Sequence, residues 1–211
     1  MSASNAGRIG VWGASGSGKS TYVKRMIATR RRVIVLDPMA EYSKGGLSQA
    51  SSVEAVRKAM VKDWTGFRIA LAPRAGREAD YLNSLCHLIL MAQKPYVDGK
   101  SKLGLSLVVE EMNTAFPVHG GERKCPMFAD MCSRGRHFGV EIIGVSQRMA
   151  EVSTRFRGNC TETVILRQQG KNDLNTSAET TGIDVAKLRA LKNLEFLHYK
   201  AGDVTAGKLT F

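Results

Sequence analysis

The chain has 211 residues, 43% of them hydrophobic and 24% charged, a composition that suits one globular domain over 1–211 able to bury a full core without staples. Its 31 Lys and Arg against 19 Asp and Glu leave a net charge of +12, which favours a polyanionic partner, nucleic acid or an anionic membrane face. The start, MSASNAGR, lacks the apolar core of a signal peptide, and no apolar run approaches the ~18 residues of a membrane span, so secreted and membrane-spanning classes are set aside and a cytoplasmic protein is expected.

Segments then alternate along the chain. RIGVW (8–12) reads as a strand, followed by a Gly-rich turn and a helix over 20–30. RRVIVLD (31–37) is a second strand, closed by Pro38. A helix over 53–64 and a strand over 67–73 follow, then a helix over 78–93 with Leu82, Leu85, Leu88 and Ile89 at helical spacing. LSLVVEEM (105–112) is an apolar run that ends in two carboxylates. A loop with Pro117, Gly120 and Gly121, a helix near 123–134 and a strand over 140–146 come next. A strand over 161–168, two short helical stretches and a hairpin of strands 195–200 and 204–211, turning at Ala201–Asp203, complete the chain. Apolar strands alternating with helices predict an α/β fold whose mostly parallel sheet is flanked by helices, with antiparallel strands at the C-terminal edge. Cys86, Cys125, Cys132 and Cys160 form no CxxC pair, and the four His residues lack finger spacing, so free thiols are expected rather than zinc ligands.

GASGSGKST (13–21) matches G-x-x-x-x-G-K-[ST] and lies between a strand and a helix, the context this phosphate-binding loop requires. Glycines allow close backbone approach, so successive N–H groups of Gly13, Ala14, Ser15, Gly16, Ser17, Gly18, Lys19, Ser20 and Thr21 can wrap a phosphate. The helix N-terminus adds partial positive charge. Lys19 would reach the β- and γ-phosphates, and the Ser20 hydroxyl would ligate Mg²⁺. The motif specifies a nucleoside triphosphate such as ATP and leaves the reaction class open.

LVVEEM (107–112) reads as a Walker B element: an apolar strand delivering acids to the sheet edge where open α/β folds bind ligands. Glu110 is expected in the metal role and Glu111 as general base. The first acid of this element is usually Asp, and here it is the longer Glu. A carboxylate poised over water favours hydrolysis over transfer to a metabolite. No N-K-x-D guanine reader and no L-S-G-G-Q transporter signature are present.

Strand two ends in DPMAEY (37–42), and the later stretch GRHFGVEIIGVSQR (135–148) carries R-x-x-G, an apolar strand and Ser-Gln-Arg. With NCTETVILRQQGKND (159–173), these elements resemble the HerA–FtsK superfamily of P-loop ATPases, in the RecA-like group, over roughly residues 8–173. The size of the chain is most similar to the genome-packaging ATPases of tailless icosahedral viruses with an internal membrane. That resemblance implies a homo-oligomeric ring, a hexamer or pentamer, that moves double-stranded DNA into a preformed capsid at a packaging vertex. In such rings an arginine from the neighbouring subunit reaches the γ-phosphate. Arg136 fills the R-x-x-G slot and is the first choice for this finger, Arg134 the second, with Arg148, Arg155 and Arg157 behind them. Gln147 would sense the γ-phosphate, because an amide both donates and accepts.

Some of the basic groups Arg30–Arg32, Arg74, Arg77, Lys94, Lys100 and Lys102 are expected to line the pore of such a ring and make sequence-independent DNA contacts, with 94–104 read as a flexible basic loop. Three further readings stand beside the packaging motor. One is a cellular conjugation, segregation or repair motor, which usually carries extra domains. Another is a monomeric P-loop kinase or regulator, and the last a membrane-anchored assembly ATPase of filamentous phages. Localisation follows the reading: host cytoplasm during assembly, or the packaging vertex of the virion.

Overall fold

The computed structural model describes residues 6–42 and 45–210. Residues 1–5 of the start read above for a signal core, Ser43 and Lys44 after Tyr42, and Phe211 at the end of the expected last strand lie outside the described residues. Among the described residues, β1 (Arg8–Trp12), β2 (Val33–Leu36), β3 (Ser48–Ala50), β4 (Arg68–Leu71), β5 (Leu105–Val109), β6 (Val140–Ser146), β7 (Glu162–Leu166), β8 (Glu195–Lys200) and β9 (Asp203–Lys208) form one sheet. Their order is β3-β4-β2-β5-β6-β1-β7-β8-β9, with β3 through β7 parallel and β8 and β9 antiparallel.

The central strands β2, β5, β6 and β1 are largely apolar and buried because both sheet faces are covered there. In β2, Val33 and Val35 join one buried cluster with Ile9, Val11, Val108 and Val145, whereas Ile34 and Leu36 join the other with Trp12, Leu107 and Ile142. Helix α1 (Lys19–Met26) covers the first cluster through Val23. The second is covered by α2 (Val53–Lys62), α3 (Glu78–Ala92) and elements further along the chain. The Ser52 side chain caps α2 by accepting from Ala55 N–H at 3.1 Å, and α3 buries Leu82, Leu85, Cys86 and Ile89 at the expected spacing. One-turn α4 (Lys94–Val97) follows α3. After β5 come α5 (Met112–Ala115), α6 (Gly121–Lys124) and α7 (Pro126–Arg134). After β6 come α8 (Thr154–Arg157) and, beyond β7, α9 (Lys171–Thr181) and α10 (Val185–Arg189).

Four expectations change. The helix expected near 123–134 is two, because Pro126 starts α7 and holds the preceding Cys125 out of helical conformation. The polar triplet Ser48–Ala50 forms an edge strand on β4 that no apolar pattern announced. The basic stretch 94–104 opens with the turn of α4, and its Leu103 and Gly104 carbonyls are held by Arg32. Arg32 is therefore not a DNA ligand: it is 4% exposed, also donates to Gln93 Oε1 at 3.0 Å, and lies 4.3 and 5.0 Å from the Trp64 and Phe67 rings. Burial pulls its guanidinium down to about 10. The C-terminal hairpin turns on Ala201 and Gly202, both at positive φ, the two-residue connection that matches strand twist. All four cysteines are free thiols, with Cys86, Cys125 and Cys132 buried. Among the described residues no helix is long and apolar enough to cross a membrane.

Candidate nucleotide site

Because β1, β2, β5, β6 and β7 are parallel and adjacent, their carboxyl ends bring distant segments to one sheet edge. The phosphate loop leaves β1 there. Its Gly13 N–H donates to Ser146 O at 3.3 Å and Ala14 N–H to Arg167 O at 2.8 Å, tying it to the ends of β6 and β7. Gly18 has φ 103°, a left-handed conformation, and a Cβ there would meet Leu209 and Leu194 at 2.9 and 3.0 Å. Leu194 N–H in turn donates to Ser17 O at 3.2 Å, so the C-terminal segment backs the loop. Lys19 folds across the loop onto Ala14 O at 3.1 Å. Burial lowers its ammonium pKa, while Glu111, Glu110 and Glu41 pull the other way.

A cleft of about 260 Å³ opens above the loop, lined by Ser15, Gly16, Gly18, Lys19, Ser20, Thr21, Glu41, Glu110, Glu111, Gln147 and Leu194. Six of the nine expected loop residues, both acids and the strand-end amide thus meet in one place, while Gly13, Ala14 and the buried Ser17 are not among the lining residues. Glu110 is 6% exposed; burial pushes its carboxyl up to about 7, against the pull of the Tyr42 hydroxyl bonded to it. Glu111 adopts φ 45°, ψ 49°, a left-handed conformation that is strained for a residue with a side chain. Thr114 holds it there, its N–H and hydroxyl donating to Glu111 O at 2.9 and 2.8 Å. Gln147 Nε2 donates to Glu111 Oε1 at 3.1 Å, so the amide and the expected base are already in contact. The loop after Gln147 is fixed by Arg148 Nε to Asp173 Oδ2 at 2.9 Å.

The arginines are elsewhere. Arg134 ends α7 and Arg136 sits in the turn Gly135–Phe138 that leads into β6 from its amino end. Seven residues of strand, about 20 Å, separate that edge from the cleft, so neither reaches the cleft of its own chain. Arg134 is bonded to Asp130 through both Nε and Nη2, Arg148 to Asp173, Arg155 to Glu122 and Arg157 to Val152 O. Of the five, Arg136 alone makes no side-chain bond among the described residues, and it is exposed. A larger cavity of about 440 Å³ lies at this amino edge, lined by Arg30, Arg31, Tyr96, Lys102, Gly139 and Glu141 among others, and none of the phosphate loop, Glu110, Glu111 or Gln147 lines it.

Three contributors escape a reading of spacing alone. Glu41 lines the cleft, Tyr42 bonds Glu110, and Arg167 lies beside the loop with Nη2 3.4 Å from Ser15 O. Their signal is position: each stands beyond the carboxyl end of a parallel strand, Glu41 and Tyr42 after β2 and Arg167 after β7, at the sheet edge where the loop leaves β1.

No family model matches the sequence, and no curated protein matches it. Solved structures do. The genome-packaging NTPase B204 of Sulfolobus turreted icosahedral virus 2, in complex with ATP-gammaS, superposes with a TM-score of 0.78 at 19% identity, over 100% of both chains. The chain shares its fold. B204 of Sulfolobus turreted icosahedral virus, a DNA-packaging ATPase, gives 0.74 at 17% identity over 99% of this chain and 100% of that one. The bacterial conjugative coupling protein TrwB gives 0.71 at 13% identity, over 96% of this chain and 84% of that one. The RecA-like P-loop NTPase fold that the resemblance implied is thus borne out, including its antiparallel C-terminal edge.

Proposed function

We propose that the chain is one P-loop ATPase domain over 1–211 that hydrolyses ATP to move double-stranded DNA, packaging a viral genome into a preformed capsid. One observation carries the reading: Lys19, Glu110, Glu111 and Gln147 line a single cleft at the carboxyl edge of a sheet that matches a packaging NTPase over its full length. The loop residues Gly13 to Thr21 would wrap the phosphates, and Lys19 would turn from Ala14 O to the β- and γ-oxygens. The donor set around the cleft, a hydroxyl and carboxylates without sulfur or imidazole, fits a hard divalent cation, and Ser20 and Glu110 would hold Mg²⁺. When bound, Mg²⁺ supplies neutralisation of phosphate charge. Glu111 would take the proton of the attacking water, and Gln147, already on its carboxylate, would orient both.

Arg136, exposed at the opposite edge and without a side-chain bond among the described residues, would complete the site of a neighbouring copy, with Arg134 the alternative after release from Asp130. This makes a homo-oligomeric ring, a hexamer or pentamer, the working form. DNA phosphates and capsid packaging-vertex proteins would be its partners, in the host cytoplasm or at the vertex. The test is assembly size and ATP turnover with and without double-stranded DNA. A ring whose turnover rises with DNA of any sequence is expected; a monomer that transfers phosphate to a small acceptor would refute the reading. A second reading, a cellular conjugation motor, draws on the likeness to the bacterial conjugative coupling protein TrwB. Recovery of the protein from purified virions separates the two.

A further inference from the structure

Tyr42 is fully buried, and its hydroxyl donates to Glu110 Oε1 at 2.5 Å. Its backbone N–H donates to Asp37 Oδ2 at 2.9 Å, while Glu41 N–H takes the other Asp37 oxygen at 3.0 Å. Lys24 of α1 lies over the ring, 5.0 Å from its centroid, and donates to Glu41 O at 2.7 Å. The tyrosine is thus fixed by the end of β2 and by the helix that carries the phosphate loop, and it grips the acid at the end of β5.

A core tyrosine could do no more than fill space. Two facts argue for more. The hydroxyl meets a carboxylate rather than a carbonyl, and that carboxylate lines the cleft. The acid is also a Glu, with one more rotatable bond than Asp, whereas Mg²⁺ tolerates little departure from octahedral geometry. We infer that Tyr42 is a positioning residue: its hydroxyl pins Oε1 of Glu110 and leaves Oε2 to serve the cation. Asp37 and Lys24 act one step further out by fixing the tyrosine. The inference rests on the cleft binding a metal–nucleotide pair, as proposed above.

The test uses the full chain and a fluorescent, non-hydrolysable ATP analogue, titrated in EDTA and then across Mg²⁺ concentrations. Tyr42→Phe keeps the ring under Lys24 and removes only the hydroxyl. Its metal-free affinity should stay within about twofold, while the Mg²⁺ concentration for half-maximal effect rises about 10- to 100-fold, the range for partners of metal ligands. Glu110→Asp, too short to reach the hydroxyl, should shift the Mg²⁺ midpoint likewise, and the double variant should be no worse than Glu110→Asp alone. An unchanged midpoint in Tyr42→Phe, or equal losses with and without Mg²⁺, overturns the inference and leaves the ATPase reading standing. If Tyr42→Phe does not fold, a wild-type midpoint in Glu110→Asp overturns it instead. A wild-type chain that binds no nucleotide overturns both.

Discussion

Glu110→Gln should stabilise the metal-free protein above neutral pH. The carboxyl is 6% exposed, so solvent screens it little, and burial raises it from 4.5 to about 7. A group whose folded value lies above its unfolded one contributes its full stability below about 4.5 and loses it as pH rises through about 7. At ~1.4 kcal/mol per unit, the rise from 4.5 to about 7 corresponds to about 3 kcal/mol lost by pH 8. Gln keeps an oxygen for the Tyr42 hydroxyl and carries no charge to desolvate. Urea unfolding in EDTA between pH 5 and 8 measures this. The wild type should fall by about 2–3 kcal/mol relative to Glu110→Gln over that range, because part of the loss is already complete at pH 5. Parallel curves for the two proteins would mean that burial does not raise the Glu110 carboxyl.

Gly18→Ala places a side chain at φ 103° and a methyl group 2.9 Å from Leu209 Cδ1. A loss of about 1–3 kcal/mol in thermal unfolding, together with weakened ATP binding, is the expected outcome. Arg32→Lys removes a guanidinium whose Nη1 meets Gln93, Leu103 and Gly104. It should cost about 3 kcal/mol while leaving DNA affinity of the folded fraction unchanged, checked by unfolding and DNA titration.

Much of the site was legible because its signals are local. The loop GASGSGKST, the acids after LVV and the amide after VEIIGVS each sit at a strand end, and parallel pairing alone carries them to one edge. What escaped depends on long-range packing. Tyr42 meets Glu110 across 68 positions, and no spacing rule joins them. Arg32 stands in the basic run Arg30–Arg32, which reads as surface, yet Trp64, Phe67 and Gln93 enclose it. The strand Ser48–Ala50 has only Ala50 buried, so its pairing with β4 left no apolar pattern to find. Within DPMAEY, Asp37 accepts from the N–H groups of Glu41 and Tyr42, contacts local in the chain, whereas the link from Tyr42 to Glu110 appears only in three dimensions.

In the proposed ring the cleft is completed by a second copy, through Arg136. Mixing two inactive variants measures it most directly. Arg136→Ala keeps an intact cleft, and Glu111→Gln keeps an intact finger. Each should bind ATP and turn over little alone, and equimolar mixing should restore DNA-stimulated hydrolysis at interfaces that pair one good cleft with one good arginine. No recovery at any mixing ratio, with both variants binding ATP and assembling, would contradict the account.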